Sequence, residues 1–369
     1  MKIVCSSLQL SRICQNIQRA VSSKSTLPAL EGILIKALGD SITLTGYDLE
    51  LGSETYMQAY VEENGSIILN ARHLCDILRM LPDNKVTIES DERNICKIIS
   101  GEAEYSLIGT DASEYPELPN VAGGYSIVIK KNILKDMIKK TIFAVATNEN
   151  KPVHTGIKFE ISENKIILIA VDGYRLAVRR EAIEYEGESV SFVVPAKTLN
   201  EIVKLSGDDE GDFSINVGKR HISFQVNEYR IISRLLEGDF IDYNAAIPLS
   251  ATTTVEVNTR SLIESIERTS LIITDRTKSP VRCIVDDANI RLSSITSIGT
   301  ATDRIIADVK GKRVEIGFNN RYMLDALRVC DADEVRLEFN GSITPILILP
   351  TEGDSFLFLV LPVRLKNEG

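Results

Sequence analysis

The sequence predicts an α+β protein made of three copies of one unit, each pairing two helices with antiparallel sheets. Three observations carry this expectation. The turn Gly46-Tyr47-Asp48-Leu49 returns as Val171-Asp172-Gly173-Tyr174, with its aspartates 124 residues apart in a chain of 369, so three periods fit. A helical pattern of eight residues occurs three times at nearly the same spacing. Short alternating apolar runs, separated by turn residues, fill the intervals as strands would.

Taken in order, the strand-like runs include residues 32–37, 41–45, 85–89, 125–129, 165–170 and 335–339, divided by turn signals such as Gly39-Asp40, Pro82-Asp83-Asn84 and Glu163-Asn164. A first kind of helix is expected at 8–22, 131–145 and 258–272. Leu10, Ile13 and Ile17 form the apolar stripe of the first; Leu134, Met137, Ile138 and Ile142 form that of the second. The second kind is the clearest repeat. Arg72-His73-Leu74-Cys75-Asp76-Ile77-Leu78-Arg79, Lys197-Thr198-Leu199-Asn200-Glu201-Ile202-Val203-Lys204 and Arg321-Tyr322-Met323-Leu324-Asp325-Ala326-Leu327-Arg328 share one pattern. Bases at the first and eighth positions and an acid at the fifth share a helix face, while apolar residues at the third, sixth and seventh share another. The units are expected at 1–122, 123–250 and 251–369, each with about eight strands.

Composition narrows the class. Hydrophobic residues at 44% and charged residues at 25% are a globular balance. Residues 1–20 carry Arg12 and Arg19 within their pattern and do not read as a signal peptide, and the apolar run 356–363 is too short to span a bilayer, so a soluble cytoplasmic protein is expected. The six cysteines form no CxxC pair and sit in apolar patterns, as small buried hydrophobes in a reducing compartment do. The three histidines are not spaced as a metal pair, so no metal and no cofactor are expected.

A net charge of −10 argues against a nucleic-acid partner, but its distribution argues the other way. The six helical segments sum to +9, which leaves −19 on the remainder. Residues 130–145 are the most basic, with Lys135, Lys139 and Lys140 against Asp136. Bases on one helix are ordinarily a solvated face. The same face in three units points to one surface turned toward a polyanion, with an acidic exterior elsewhere.

Five stretches in collinear order then resemble a known family: Lys24-Ser25-Thr26-Leu27-Pro28-Ala29-Leu30, Leu44-Thr45-Gly46-Tyr47-Asp48-Leu49-Glu50, Val171-Asp172-Gly173-Tyr174-Arg175-Leu176-Ala177-Val178, Glu237-Gly238-Asp239-Phe240-Ile241-Asp242-Tyr243 and Leu361-Pro362-Val363-Arg364-Leu365. They are similar to the bacterial DNA sliding clamps, the β subunit of DNA polymerase III. The resemblance implies a clamp fold and a head-to-tail homodimeric ring. Duplex DNA would pass through it without sequence readout, held by topology and weak phosphate attraction. It implies Lys24, Arg72, Lys197, Arg321 and Asn148 as residues facing DNA, beside the lysine patch above. It further implies a ring joint between Tyr105 and Leu107 of one chain and Leu271 and Ile272 of another.

The resemblance also implies a pocket for short hydrophobic-acidic peptide motifs. The matching positions are His154, Val171, Gly173, Tyr174, Arg175, Leu176, Ile241, Ala246, Asn319, Tyr322, Ile343, Pro345, Leu359, Leu361, Pro362, Val363, Arg364 and Leu365. Its apolar walls would bury a Leu or Phe anchor, and Arg175 would meet a carboxylate or carbonyl. The implied partners are the replicative polymerase, clamp-loader subunits, repair polymerases, mismatch repair proteins and ligase. The chain departs from the family at Ala245 (commonly basic), His154 (commonly apolar), Ile241 (commonly proline) and the extension Lys366-Asn367-Glu368-Gly369.

Two rivals meet this reading. A two-metal nuclease would need Asp48, Glu50 and Asp172 together, but Asp48 and Asp172 are the same position in different repeats, and P-loop, paired-His and GxSxG motifs are absent. No catalytic residue is therefore expected. The other rival is a peptide-binding scaffold that never encircles DNA, for which the pocket alone would suffice.

Overall fold

Local chemistry fixes where the helices start. In a computed structural model describing residues 1–121, 124–148, 151–208, 210–274 and 279–365, six α-helices are described: α1 (Ser7–Ile17), α2 (Ala71–Arg79), α3 (Lys131–Lys139), α4 (Ala196–Leu205), α5 (Thr259–Ser270) and α6 (Asn320–Arg328). Ser6, Asn70, Asn258 and Asn319 cap α1, α2, α5 and α6 by accepting backbone N–H bonds from the first turn. Such caps are each worth about 1 kcal/mol. The expected 15-residue helices prove shorter. Past α3, the Thr141 hydroxyl bonds back to the carbonyls of Met137 and Ile138, and a tight 3₁₀ turn, Ile142–Ala144, follows. Thr269 bonds back to Ser265 and Ile266 at the end of α5 in the same way.

The repeated helix buries most of the face its pattern assigns, with Ile77 and Val203 half-buried. Leu74, Cys75 and Leu78 in α2, Leu199 and Ile202 in α4, and Met323, Ala326 and Leu327 in α6 are all buried. Each large apolar side chain so buried contributes about 1.5–3 kcal/mol. Arg72, Arg79, Lys197, Lys204, Arg321 and Arg328 remain exposed.

The repeats and the compact units differ. Contacts divide the chain into two units, 1–131 with 197–235, and 132–196 with 236–369. The middle repeat is shared because its strands complete a sheet in each. In the first unit, an eight-stranded sheet runs in the order Tyr125–Lys130, Asp212–Val217, His221–Val226, Tyr229–Arg234, Leu51–Gln58, Ser41–Tyr47, Gly32–Leu38 and Gly65–Asn70. A five-stranded sheet beside it ends on the edge strand Ala103–Ile108. In the second unit, a nine-stranded sheet runs Val190–Pro195, Gly156–Ser162, Lys165–Val171, Arg175–Ala182, Phe356–Val360, Ile346–Pro350, Glu334–Phe339, Thr253–Asn258 and Asp308–Gly311. A four-stranded sheet ends on the edge strand Gly299–Ile306.

One joint therefore occurs twice. The strand Leu51–Gln58 pairs antiparallel with Tyr229–Arg234, Leu51 opposite Ser233. Its equivalent 124 residues on, Arg175–Ala182, pairs antiparallel with Phe356–Val360, Arg175 opposite Val360. The third equivalent is the edge strand Gly299–Ile306, and the strand that corresponds to Tyr229–Arg234 in the first repeat is the edge strand Ala103–Ile108. Among the described residues no helix is long and apolar enough to cross a membrane.

Candidate functional site

The turn that marks the repeat is built alike in its copies and used differently. Asp48 Oδ1 accepts from the N–H groups of Glu50 and Leu51, and Asp172 Oδ1 from those of Tyr174 and Arg175. The Thr296 hydroxyl accepts from Ile298 in the third hairpin. The residue after the aspartate is left-handed: Gly173 at φ 91°, and Leu49, strained there, at φ 74°. In the first unit Asp48 is salt-bridged by Lys197. Gly52 stands where the second copy has Leu176, and Leu118 packs so close that a Cβ at 52 would lie 2.6 Å from it. The first copy is thus filled by its own chain.

The second copy opens onto a cleft of about 700 Å³ within the second unit. Tyr174, Asn319, Tyr322, Leu361, Pro362, Val363 and Arg364 of the expected pocket line it, with Ile273, Thr274, Ser279, Pro280, Asn320 and Arg321. The final strand and tail are held by backbone bonds. The Leu361 N–H donates to Tyr174 O (2.9 Å) and the Val363 N–H to Gly317 O (2.8 Å). Gly317 makes this possible, because a Cβ there would lie 2.5 Å from Val363 O. Tyr174 stacks on Tyr322 with ring centroids 5.9 Å apart.

Other expected pocket residues form the apolar body beside the cleft. Val171, Leu176 and Leu359 are buried in one cluster with Tyr243 and Leu347, against which Phe240 and Ile247 pack. His154 is buried, edge-on to Phe240 at 5.3 Å; burial, with the Lys151 charge second, lowers its pKa. Ile241, Ala246 and Ile343 are exposed, while Pro345 and Leu365 are half-buried. Ala245 is exposed beside Ala246. The extension 366–369 lies outside the described residues.

Arg175 is held by groups of its own chain. Its Nε donates to Asp172 (2.9 Å), an Nη donates to Asp325 (2.5 Å), and the guanidinium lies 4.6 Å from the Tyr322 ring centre and 5.5 Å from that of Phe143. A guanidinium with two carboxylates and two ring faces is a fastening rather than an open cation. Sequence reasoning missed Asp325 and Phe143 as its partners, and also the rim at Pro280 and at Ile273, the latter directly after Leu271 and Ile272.

Arg72, Lys135, Lys139, Lys197 and Arg321 are on helices, Lys140 follows α3 directly and Lys24 is in a loop, with three qualifications. Arg321 lines the cleft. Lys140 is held between Asp136 and Asp331 at 2.7 Å each; burial acts to lower its pKa, but the two carboxylates outweigh it and raise it. Lys197 is shared with Asp48, though half of its side chain stays exposed. Lys24, Arg72, Lys139 and Asn148 are exposed, and Lys135 is half-buried. Tyr105 and Leu107 are half-buried on their edge strand beside exposed Ile108, while Leu271 is exposed and Ile272 half-buried just past α5. No group of three His, Cys, Asp or Glu that could hold a metal occurs among the described residues.

Comparison with known proteins agrees along the whole chain. Models of the DNA polymerase III beta subunit match in order: N-terminal domain at 1–119, central domain at 128–242 and C-terminal domain at 244–364. The chain is 34% identical to the beta sliding clamp of Bacillus subtilis over 376 residues, covering 99% of this chain and all of that protein. It is 35% identical to that of Staphylococcus aureus, covering 94% of each. The crystal structure of the Bacillus subtilis sliding clamp superposes with a TM-score of 0.96 at 33% identity, covering 99% of this chain and 100% of that one. A Pseudomonas aeruginosa clamp bound to griselimycin superposes at 0.93 and 25% identity, with the same coverage. These relatives are named as clamps, not catalysts. Matched end to end and in all three domains, this chain belongs to the DNA polymerase III beta subunit family, the bacterial sliding clamps.

Proposed function

We propose that the chain closes with a second copy into a ring around duplex DNA and serves there as a mobile tether. The replicative polymerase, clamp-loader subunits, repair polymerases, mismatch repair proteins and ligase would dock in the cleft beside Tyr174 and Tyr322. The repeats would be 1–122, 123–250 and 251–369, and the working compartment the cytoplasm. The observation that carries the reading is the basic outer face of α2 and α4 in a chain of net charge −10. Such a face holds phosphates weakly and without sequence readout, through contacts that salt can screen.

The open edges support the dimer. Both internal joints pair equivalent strands, and the third such pair, Gly299–Ile306 with Ala103–Ile108, is incomplete in one chain. Ile306 and Ile108 at these edges are 87% and 88% exposed, a liability unless another strand covers them. Carrying over the register of the first joint sets Leu107 opposite Gly299, Ser106 opposite Thr300 and Tyr105 opposite Ala301 of a second chain. The partners are then the duplex, a second copy and short apolar-acidic peptides.

Loading on nicked circular DNA followed by linearisation tests the ring. Retention on the circle and loss from the linear form is the expected result. Equal retention on both would mean ordinary binding and would favour the scaffold that never encircles DNA.

A further inference from the structure

The acidic position of the repeated helix has three different fates. Asp76 bonds Arg79 in its own helix. Glu201 bonds Lys204 and Arg19. Asp325 instead reaches Arg175, 150 residues away in sequence. The α6 helix therefore commits its acid to the cleft.

The geometry makes that bond consequential. Arg175 is only 12% exposed, so water replaces a lost partner poorly. Its guanidinium backs the Tyr322 ring at 4.6 Å, and Tyr322 stacks on Tyr174; both tyrosines line the cleft. Asp172, the other carboxylate on Arg175, also holds the turn that presents Tyr174. A chain of contacts thus runs Asp325, Arg175, Tyr322, Tyr174, joining α6 to the hairpin after Val171.

We propose that Asp325 is a positioning residue for partner docking: through Arg175 it fixes the Tyr174–Tyr322 wall of the cleft, while touching no docked peptide itself. This rests on the docking reading above and deepens it. Because Asp172 remains on Arg175 when Asp325 is removed, the effect is partial, about fivefold rather than complete loss.

The test is fluorescence anisotropy on the full chain, with a fluorescein-labelled short peptide of leucine, phenylalanine and aspartate residues. Asp325→Asn should bind it about fivefold more weakly, with melting temperature and retention on circular DNA unchanged. Asp325→Glu, which keeps a carboxylate within reach, should recover most of the affinity. Arg175→Ala should also weaken binding, and adding Asp325→Asn to it should cost nothing more, because the aspartate acts only through the arginine. Wild-type affinity in Asp325→Asn, no recovery in Asp325→Glu, or losses that multiply in the double variant would each overturn the assignment. A wild-type chain that does not bind the peptide would overturn the docking reading itself, and this one with it.

Discussion

Replacing Gly317 with alanine isolates the tail as a wall of the cleft. Gly317 lies in the strand Val314–Phe318, and its φ is not left-handed, so the backbone itself accepts alanine. The cost is steric. The new Cβ would sit 2.5 Å from Val363 O and 2.7 Å from Leu365 Cδ2, and ordinary contact begins near 3.4 Å. The leucine can rotate away; the backbone carbonyl must retreat by about 0.9 Å, which breaks the 2.8 Å bond from the Val363 N–H to Gly317 O. Overpacking of this kind costs about 1–3 kcal/mol and the lost bond about 1 kcal/mol, while alanine over glycine in a strand returns at most about 1 kcal/mol. The balance falls on a terminal segment that can peel away without unfolding the domain. Peptide affinity should therefore fall about tenfold or more, because the tail must redock to bind. The melting temperature should hardly move, and hydrogen exchange should show the Val363 amide losing its protection. Wild-type affinity together with a protected Val363 amide would refute the tail as a wall of the cleft.

Three further outcomes are expected. Arg72→Ala with Lys139→Ala removes two exposed cations, so the slope of log affinity for DNA against log salt should flatten by about 0.9 for each; an unaltered slope would take these faces off the duplex. Ser106→Cys with Thr300→Cys should oxidise to a covalent dimer, since antiparallel neighbours stand within disulfide reach. Either variant alone should not, and a slip of one residue in register would leave the pair uncoupled. His154 is held below the ordinary histidine value by burial first and Lys151 second. The unfolded chain therefore takes up its proton first as pH falls through about 6.5, so the stability His154 contributes is intact above that pH and lost below it. His154→Asn should flatten the decline in melting temperature from pH 7 to 5, with His221, shifted the same way, leaving a residual slope. An unchanged slope would reject the assignment.

What the sequence made legible was whatever repeats locally. The buried stripe of α2, α4 and α6 follows from residue spacing, and the Asp48 and Asp172 turns follow from aspartate chemistry. What it hid depends on chain segments meeting across long separations. Nothing near Asp325 marks it as the partner of Arg175, since its pattern is that of Asp76 and Glu201. Past the early end of α3 one buried hydroxyl, Thr141, bonds to backbone carbonyls rather than to solvent. The sharing of the middle repeat between two compact units follows from sheet pairing, which no single repeat records. The cleft was half legible. Its tyrosines and tail were readable by resemblance, whereas Ile273 and Pro280 reach its rim only through the fold.

The twice-made strand joint has a consequence for how a closed assembly would come apart. In both internal copies the paired strands belong to one polypeptide, so each sees the other at a high effective concentration and re-forms at once after any opening. The third pairing, between the strand at Gly299–Ile306 and that at Ala103–Ile108, would have the same hydrogen-bond register but no covalent leash. Equal bonding with unequal tethering would make it the seam of such a ring: dilution or a prying partner would separate the circle there first, while the other joints stayed shut.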